Sequence, residues 1–436
     1  MEIIPVGGYN EFGRNMTALR VKDDVLIIDM GIRLDRVMVH EDTDISRMTP
    51  AQLVSLGIIP DDSVVGKGVK AIILSHGHLD HLGAVSILAH KYNVPIIGTP
   101  YTIELVEREL GHRSAIPLYT LEEGETLQVT PKLSIEFVRM THSIPQTVML
   151  VVHTAEGRLV YANDFKLDDT PVIGEKPDYR RMRELGKEGI KCLIVETTGM
   201  DKEGRTPSER IAKQLLEENI LKSDRGKGLI VTTFSSHIAR ISSIVQMAIQ
   251  VGRTPILLGR SMEKYVGIVE RVKILQLPPD THMYGDPESV KQSLQRVVKD
   301  GKEKYALIVT GHQGEPDALL SRMADKKFPY KIQRDDEVIF SAGIIPNPIN
   351  VANRYGLETR LKLQGARLFK DIHVSGHASM EDHRDFLKIL QPENVIPCHG
   401  DLRALATYAE MAEGFGYTLN KDVFLARNGR KLELRG

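Results

Sequence analysis

Apolar residues in this chain come in short runs that end at a glycine or a polar turn. The first thirty residues alternate such runs with glycine turns, and the last of these runs, at 25–28, closes on Asp29-Met30-Gly31. A run at 69–74 reads as a buried strand. A helix at 82–91, a strand at 94–97 and a helix at 100–110 follow it, an alternation that argues α/β layering. A strand at 133–139 and a hairpin of 148–152 with 158–161 across Glu156-Gly157 come next. The strand at 191–195 ends in the carboxylate of Glu196. Beyond it the rhythm changes. Helix 207–220, strand 228–232, helix 236–251, strand 255–258, helix 261–272 and strand 305–309 repeat in the manner of a doubly wound parallel sheet. At 372–374 and 396–398 the earlier style resumes, each a strand followed by a polar turn and a helix, at 380–390 and 401–413. The doubly wound unit therefore reads as an insertion: residues 1–200 begin one domain, 201–345 form a second, and 346–436 complete the first. Residues 33–68, rich in charge, proline and glycine, read as an inserted lobe or lid to which no chemistry attaches. Gly7, Gly8 and Gly13 lack the spacing of a dinucleotide-binding loop.

Length supports more than one domain, since 436 residues exceed what a single core usually holds. A formal charge of −1 gives no whole-chain attraction to nucleic acid, so any such binding must come from a local groove. The two cysteines, Cys192 and Cys398, offer neither a metal knuckle nor a disulfide framework and read as buried thiols on strands, which suits a reducing compartment. The start lacks the basic and apolar regions of a signal peptide, and no run approaches the roughly 18 apolar residues of a membrane span. The expectation is a cytoplasmic protein without a membrane anchor.

The densest chemistry lies in Ser75-His76-Gly77-His78-Leu79-Asp80-His81, on the turn between the strand at 69–74 and the helix after it. Imidazole and carboxylate are the groups that zinc or manganese takes in a hydrolytic site, and four of them exceed the three protein ligands of one open zinc. Two metals are the natural reading. His142 and Asp164 each stand where a strand stops; they supply a third histidine beside His76 and His78, and a carboxylate able to bridge to the metal at Asp80 and His81. Asp29 closes a buried strand, where a carboxylate is costly unless paired. It reads either as a partner for a ligand histidine or as the turn former of an Asp-x-Gly. His90 and His112 read as surface or capping residues, and Arg180, Arg181 and Arg183 as a solvated helix face.

Asp29, the His-x-His-x-Asp-His stretch, His142 and Asp164, in this order and each at a strand end, resemble the motifs of the metallo-β-lactamase fold. That resemblance implies a four-layer αββα sandwich with a binuclear site at one edge of its two sheets. It leaves the substrate open, because the fold hosts lactamases, thioesterases, lactonases and nucleases. Glu196, followed past the inserted domain by His377 and His399, is similar to the β-CASP branch of nucleic-acid phosphodiesterases. Gly7 to Met16, 233–237, 259–262, 310–316 and 340–343 resemble ribonuclease J. Three features depart from the family: no C-terminal domain follows as in bacterial members, His237 and His312 stand where smaller or amide side chains are expected in those members, and the 33–68 segment is atypical. No KH domain of the polyadenylation-type archaeal endonucleases precedes Met1. A short, archaeal-type ribonuclease J fits best.

The resemblance implies two zinc ions, with manganese or magnesium as alternatives: one held by His76, His78 and His142, the other by Asp80, His81 and His399, with Asp164 and a hydroxide between them. His377, oriented by Glu196, would stabilise developing charge or protonate the leaving 3′ oxygen, and Asp80 and Asp29 are counted with that pair among the catalytic residues. Ser235, Ser236, Arg260, Ser341, His373, Ser375 and the Gly376 amide are candidates to hold a 5′-phosphate and RNA; for the serines the alternative is a helix N-cap. The expected activity is 5′-to-3′ exonucleolytic hydrolysis of single-stranded RNA, or else single-stranded DNA, by a homodimer. Endonucleolytic processing, a small-molecule metallohydrolase and an inactive RNA-binding scaffold are the other readings.

Overall fold

The computed structural model describes residues 1–39, 47–111, 114–345 and 347–434, so His112 and part of the expected lobe at 33–68 lie outside the described residues. The chain divides into two compact units: residues 1–169, 174–206 and 376–436 form the first, and 170–173 with 207–375 the second.

The first unit is built on two sheets. One begins with β1 (Glu2–Gly7), β2 (Met16–Val21) and β3 (Asp24–Ile28), which run antiparallel, and continues in parallel through β4 (Val69–Ile73), β5 (Ile96–Gly98) and β6 (Leu118–Thr120). The other holds β7 (Thr126–Thr130), β8 (Leu133–Arg139), β9 (Val148–Thr154), β10 (Gly157–Ala162) and β11 (Cys192–Glu196). Alternation along these strands sends one set of side chains into a shared core: Leu26, Ile28, Ala71 and Ile73 from the first sheet meet Ile135, Phe137, Leu150, Val152 and Leu159 from the second. The opposite set from the second sheet, including Val138, Met149, Val151, Val160 and Leu193, packs under the helices Tyr179–Glu188, Met380–Leu390 and Leu402–Glu413. Helix Pro100–Leu110 covers β5 and β6, which completes the helix–sheet–sheet–helix order that the motifs imply. Within helix Tyr179–Glu188, Arg180 and Arg183 are exposed, but Arg181 is engaged by Glu136 at 2.6 Å and Glu188 at 2.7 Å. His90 falls on a single 3-10 turn at the surface.

The second unit carries a parallel sheet of β12 (Leu229–Thr232), β13 (Thr254–Leu258), β14 (His282–Tyr284), β15 (Tyr305–Val309), β16 (Glu337–Phe340) and β17 (Arg367–Phe369), in the order β14-β13-β15-β12-β16-β17. From β12 the chain skips a place to β13 and β14, returns with β15 to fill it, and then crosses β12 to add β16 and β17 on the other side. The crevice at the carboxyl ends of β12, β15 and β16 is thus the switch point where open α/β sheets receive ligands. The sequence-based boundary at 345 falls inside this unit, because β17 bonds to β16 and carries the chain along the sheet. The strand expected at 372–374 does not form: the Ile372 carbonyl accepts from the Ser341 hydroxyl in place of a ladder partner. β18 (Val395–Cys398) then returns to the first unit beside β11, and β19 (Leu432–Glu433) pairs with β1. Among the described residues, no helix is long and apolar enough to cross a membrane.

Candidate metal centre

Every side chain of the proposed centre is delivered at or just past a strand end of the first unit. β4 ends at Ile73, and the chain then turns through Ser75 to His78, which caps a one-turn helix, Leu79–Leu82. The single helix expected at 82–91 is instead broken: this turn, which carries Asp80 and His81, ends at Leu82, and a second short helix, Val85–Leu88, and a 3-10 turn, Ala89–Lys91, follow. The backbone of the first turn is clamped from outside: Met30 N–H donates to the His81 carbonyl, Ile32 N–H to Leu79 and Asn15 N–H to Asp80. Gly31 permits this approach, since a Cβ there would lie 1.6 Å from the Asp80 carbonyl oxygen.

Asp29, Asp164 and His399 follow β3, β10 and β18 and all adopt left-handed backbone, with φ of 59°, 67° and 50°. Such conformations cost about 1–3 kcal/mol each and persist where surrounding structure imposes them. Here each swings its side chain away from the pleat and into the common site.

Two sets of ligand atoms result. His76 Nε2 lies 3.2 Å from His78 Nδ1, His142 Nε2 lies 3.1 Å from the same atom, and Asp164 Oδ2 is 3.6 and 3.5 Å from His76 and His142. Tetrahedral bonds of about 2.0–2.1 Å would place ligand atoms about 3.3–3.4 Å apart, which these separations bracket. In the second set His81 Nε2 stands 3.3 Å from Asp164 Oδ1 and 3.7 Å from Asp80 Oδ2, while His399 Nε2 stands 3.7 Å from Asp80 Oδ2 and 3.6 Å from Asp164 Oδ1. Asp164 gives one oxygen to each set. Its Oδ1 is buried and accepts no hydrogen bond from the described residues, a costly state that a cation would relieve. The donor sets therefore fit two divalent ions.

The remaining ring nitrogens are engaged so that the lone pairs face inward. His142 Nδ1 donates to the Gly376 carbonyl at 2.7 Å, and His399 Nδ1 to Asn15 Oδ1 at 2.9 Å. His81 Nδ1 donates to Asp29 at 2.7 Å; His76 Nδ1 donates to Ser75 Oγ at 3.0 Å, which itself donates to Asp29. Tyr161 adds a hydroxyl to Asp29 at 2.9 Å, and Asn163 supports Tyr161. Of the two readings of Asp29, the geometry matches the partner of ligand histidines. Gly376, expected to offer its amide to a phosphate, presents its carbonyl to His142; a Cβ there would lie 3.0 Å from His142 Cε1.

Charge agrees with this arrangement. Burial, reinforced by neighbouring imidazoles, holds His78 and His142 well below the ordinary histidine range and keeps them neutral. Burial also works to lower His81, but Asp164, Asp80 and Asp29 outweigh it and raise the group strongly. Two of these carboxylates, Asp164 and Asp80, converge where a cation would sit, and Asp29 lies behind the ring on Nδ1. Beside them, Glu196 is fully buried and holds His377 Nδ1 at 2.7 Å while accepting the Phe165 amide at 3.0 Å. Burial opposes the His377 imidazolium, yet Glu196 and Asp164 prevail and lift it to about 9. The thiols of Cys192 and Cys398 are buried and unbonded to each other, and burial pushes Cys192 above the ordinary thiol range. Neither contributes to the ligand sets.

The substrate candidates in the second unit are only partly gathered. Ser235 and Ser236 sit in the loop after β12, and Ser341 directly follows β16. His373 lies beyond β17 and reaches the Ser341 turn through Arg240. Arg260 is exposed at the start of helix Arg260–Arg271, after β13. His237 lies 3.4 Å from Glu209, and His312 stacks edge-on against Phe234 at 4.0 Å. Reading the sequence missed Asn15, Ser75, Tyr161 and Arg240. Asn15 stood within a family-like stretch, the one signal that pointed to it.

Comparison with known families agrees with this architecture. Residues 60–210 match the beta-lactamase superfamily domain, 226–355 the ribonuclease J beta-CASP domain, and 366–426 the Zn-dependent metallo-hydrolase RNA specificity domain. Fold and ligand sets together define a metallo-β-lactamase-type hydrolase with a β-CASP insertion. The chain is 56% identical to ribonuclease J of Methanocaldococcus jannaschii over 99% of its own length and 98% of that protein's, and 49% identical to ribonuclease J of Pyrococcus abyssi over 100% and 98%. Ribonuclease J of Synechocystis is 30% identical, and this chain covers 66% of it. The chain belongs to the ribonuclease J family. A crystal structure of a protein of unknown function from Enterococcus faecalis shares the fold, with a TM-score of 0.68 at 16% identity over 99% of both chains.

Proposed function

We propose that the protein is a zinc-dependent 5′-to-3′ exoribonuclease that degrades single-stranded RNA from a 5′-monophosphate end. The observation that carries this reading is Asp164 shared between two complete ligand sets beside the buried Glu196–His377 pair; membership of the ribonuclease J family supplies the substrate class. When bound, the two metals supply an acidic water at neutral pH and positive charge for the phosphoryl oxygens. The protein's own groups do the rest. Asp29, Ser75 and Asn15 hold the ligand imidazoles in their working tautomers. His377, protonated and held by Glu196, gives its proton to the leaving 3′ oxygen. In the second unit, the loops at the carboxyl ends of β12 and β16 present hydroxyls, with His373 nearby, to a terminal phosphate.

Digestion of end-labelled single-stranded RNA tests this directly. Mononucleotides are expected to appear from the outset, faster from 5′-monophosphate than from 5′-hydroxyl RNA, and activity lost on chelation is expected to return with zinc. Internal cuts at equal rates on both RNAs would make the enzyme an endonuclease instead. The same reading places the protein in the cytoplasm as a homodimer. Two free cysteines suit that compartment, and exposed Ile344, Ile345, Ile349, Val351 and Tyr355 offer apolar area for a second copy. A monomeric mass by light scattering at micromolar concentration would remove the dimer from the proposal.

A further inference from the structure

The second unit hides a guanidinium from solvent. Arg240, on helix Ile238–Gln250, is fully buried, and its Nε and Nη2 donate to Glu209 at 2.6 and 2.9 Å. A buried ion pair is tolerated only with such geometry and with its other donors satisfied. Those other donors serve a different part of the chain. Nη1 donates to the Ser341 carbonyl at 2.8 Å, to Ser341 Oγ at 3.0 Å and to the Ile372 carbonyl at 3.4 Å, and it faces His373 Nδ1 at 3.5 Å. Thr233 Oγ1 closes the arrangement by donating to the Ser341 carbonyl at 3.0 Å. Arg240 therefore ties together the segments leaving β16 and β17, and Thr233 joins the segment leaving β12 to the same Ser341 carbonyl. With Nδ1 turned toward an N–H donor, His373 carries its proton on Nε2. Burial and the adjacent Arg240 charge keep the ring neutral, down to about 2.

We propose that Arg240 is a positioning residue for the 5′ end of the substrate: it fixes His373 as an Nε2–H donor, holds the Ser341 turn in register with it, and places positive charge behind both. The proposal rests on the 5′-monophosphate reading above and deepens it. Arginine suits the task because its planar fork bonds Glu209 with one edge and the two loops with the other, whereas a lysine ammonium is a point charge that cannot span both.

Two variants of the full-length enzyme test it. Arg240→Lys keeps a cation against Glu209 but loses the fork. The double variant Glu209→Gln with Arg240→Gln replaces the ion pair by two amides that can bond each other, so the guanidinium and carboxylate charges are removed together. The ratio of kcat/KM for 5′-monophosphate over 5′-hydroxyl RNA is expected to fall about tenfold or more in each, through KM, while metal content stays at the wild-type value. A wild-type ratio in either variant, with thermal unfolding confirming the fold, overturns the role of Arg240. A wild-type enzyme that does not distinguish the two RNAs overturns the 5′-monophosphate reading itself, and the proposal falls with it.

Discussion

Asp164→Ala is expected to weaken binding of both metal ions and to lower turnover about a thousandfold or more, since several kcal/mol of charge stabilisation depend on the pair acting together. Each set keeps three other ligands after the change: His76, His78 and His142 in one, Asp80, His81 and His399 in the other. The loss is therefore not of a coordination shell. What disappears is the shared carboxylate that offsets repulsion between two cations held side by side. Asn15→Ala provides the contrast, because Asn15 touches His399 and His81, both of the second set, and no histidine of the first. It is expected to reduce affinity for one ion by about 10–100-fold and leave the other unchanged. Metal titration followed by mass spectrometry of the native protein reads both. Two ions bound at wild-type affinity in Asp164→Ala would mean that the carboxylate does not bridge.

His377→Ala is expected to retain its metals and lose about 10²–10⁴-fold in kcat. Neither histidine-rich ligand set includes His377, although it comes within ligand distance of Asp164 and Glu196: its Nδ1 is committed to Glu196, and its ring stands edge-on to His142 at 4.9 Å between centroids. A group that must give a proton works only while it holds one, so kcat in the wild type is expected to fall on the alkaline side. In the metal-free protein His377 releases its proton near 9; bound cations pull that value down, so the alkaline limb lies below 9 and is absent from the variant. The same shift stabilises the metal-free fold. The contribution is complete below about 6.5, the ordinary imidazole value, and vanishes as pH rises through about 9. Loss of metal from His377→Ala would make the residue a ligand rather than an acid.

Much of the centre can be read from the chain because its ligands announce themselves chemically. Histidines two apart on a strand exit, a buried Asp before glycine, and polar residues where apolar runs stop have few other uses. The orienting groups are harder to see. Asn15 meets His81 and His399 across 66 and 384 positions, and nothing local distinguishes it from any asparagine near a glycine turn. Ser75 and Tyr161 are equally ordinary until Asp29 gathers them. The one-turn helix at Leu79–Leu82 is too short for periodicity to register. β17, three residues long, is equally faint, which is why the second unit runs past the boundary the sequence suggests. At 372–374 the apolar alternation is genuine, but Arg240 and Ser341 capture the backbone before a ladder can.

The order in which these parts are made has a consequence of its own. His76, His78, His142 and Asp164 are all synthesised before the second unit begins, whereas His377 and His399 come after it, and β18 can take its place beside β11 only then. Through most of its synthesis the chain therefore lacks His377 and His399, and the cluster around Asp164 can be completed only when the polypeptide is nearly finished.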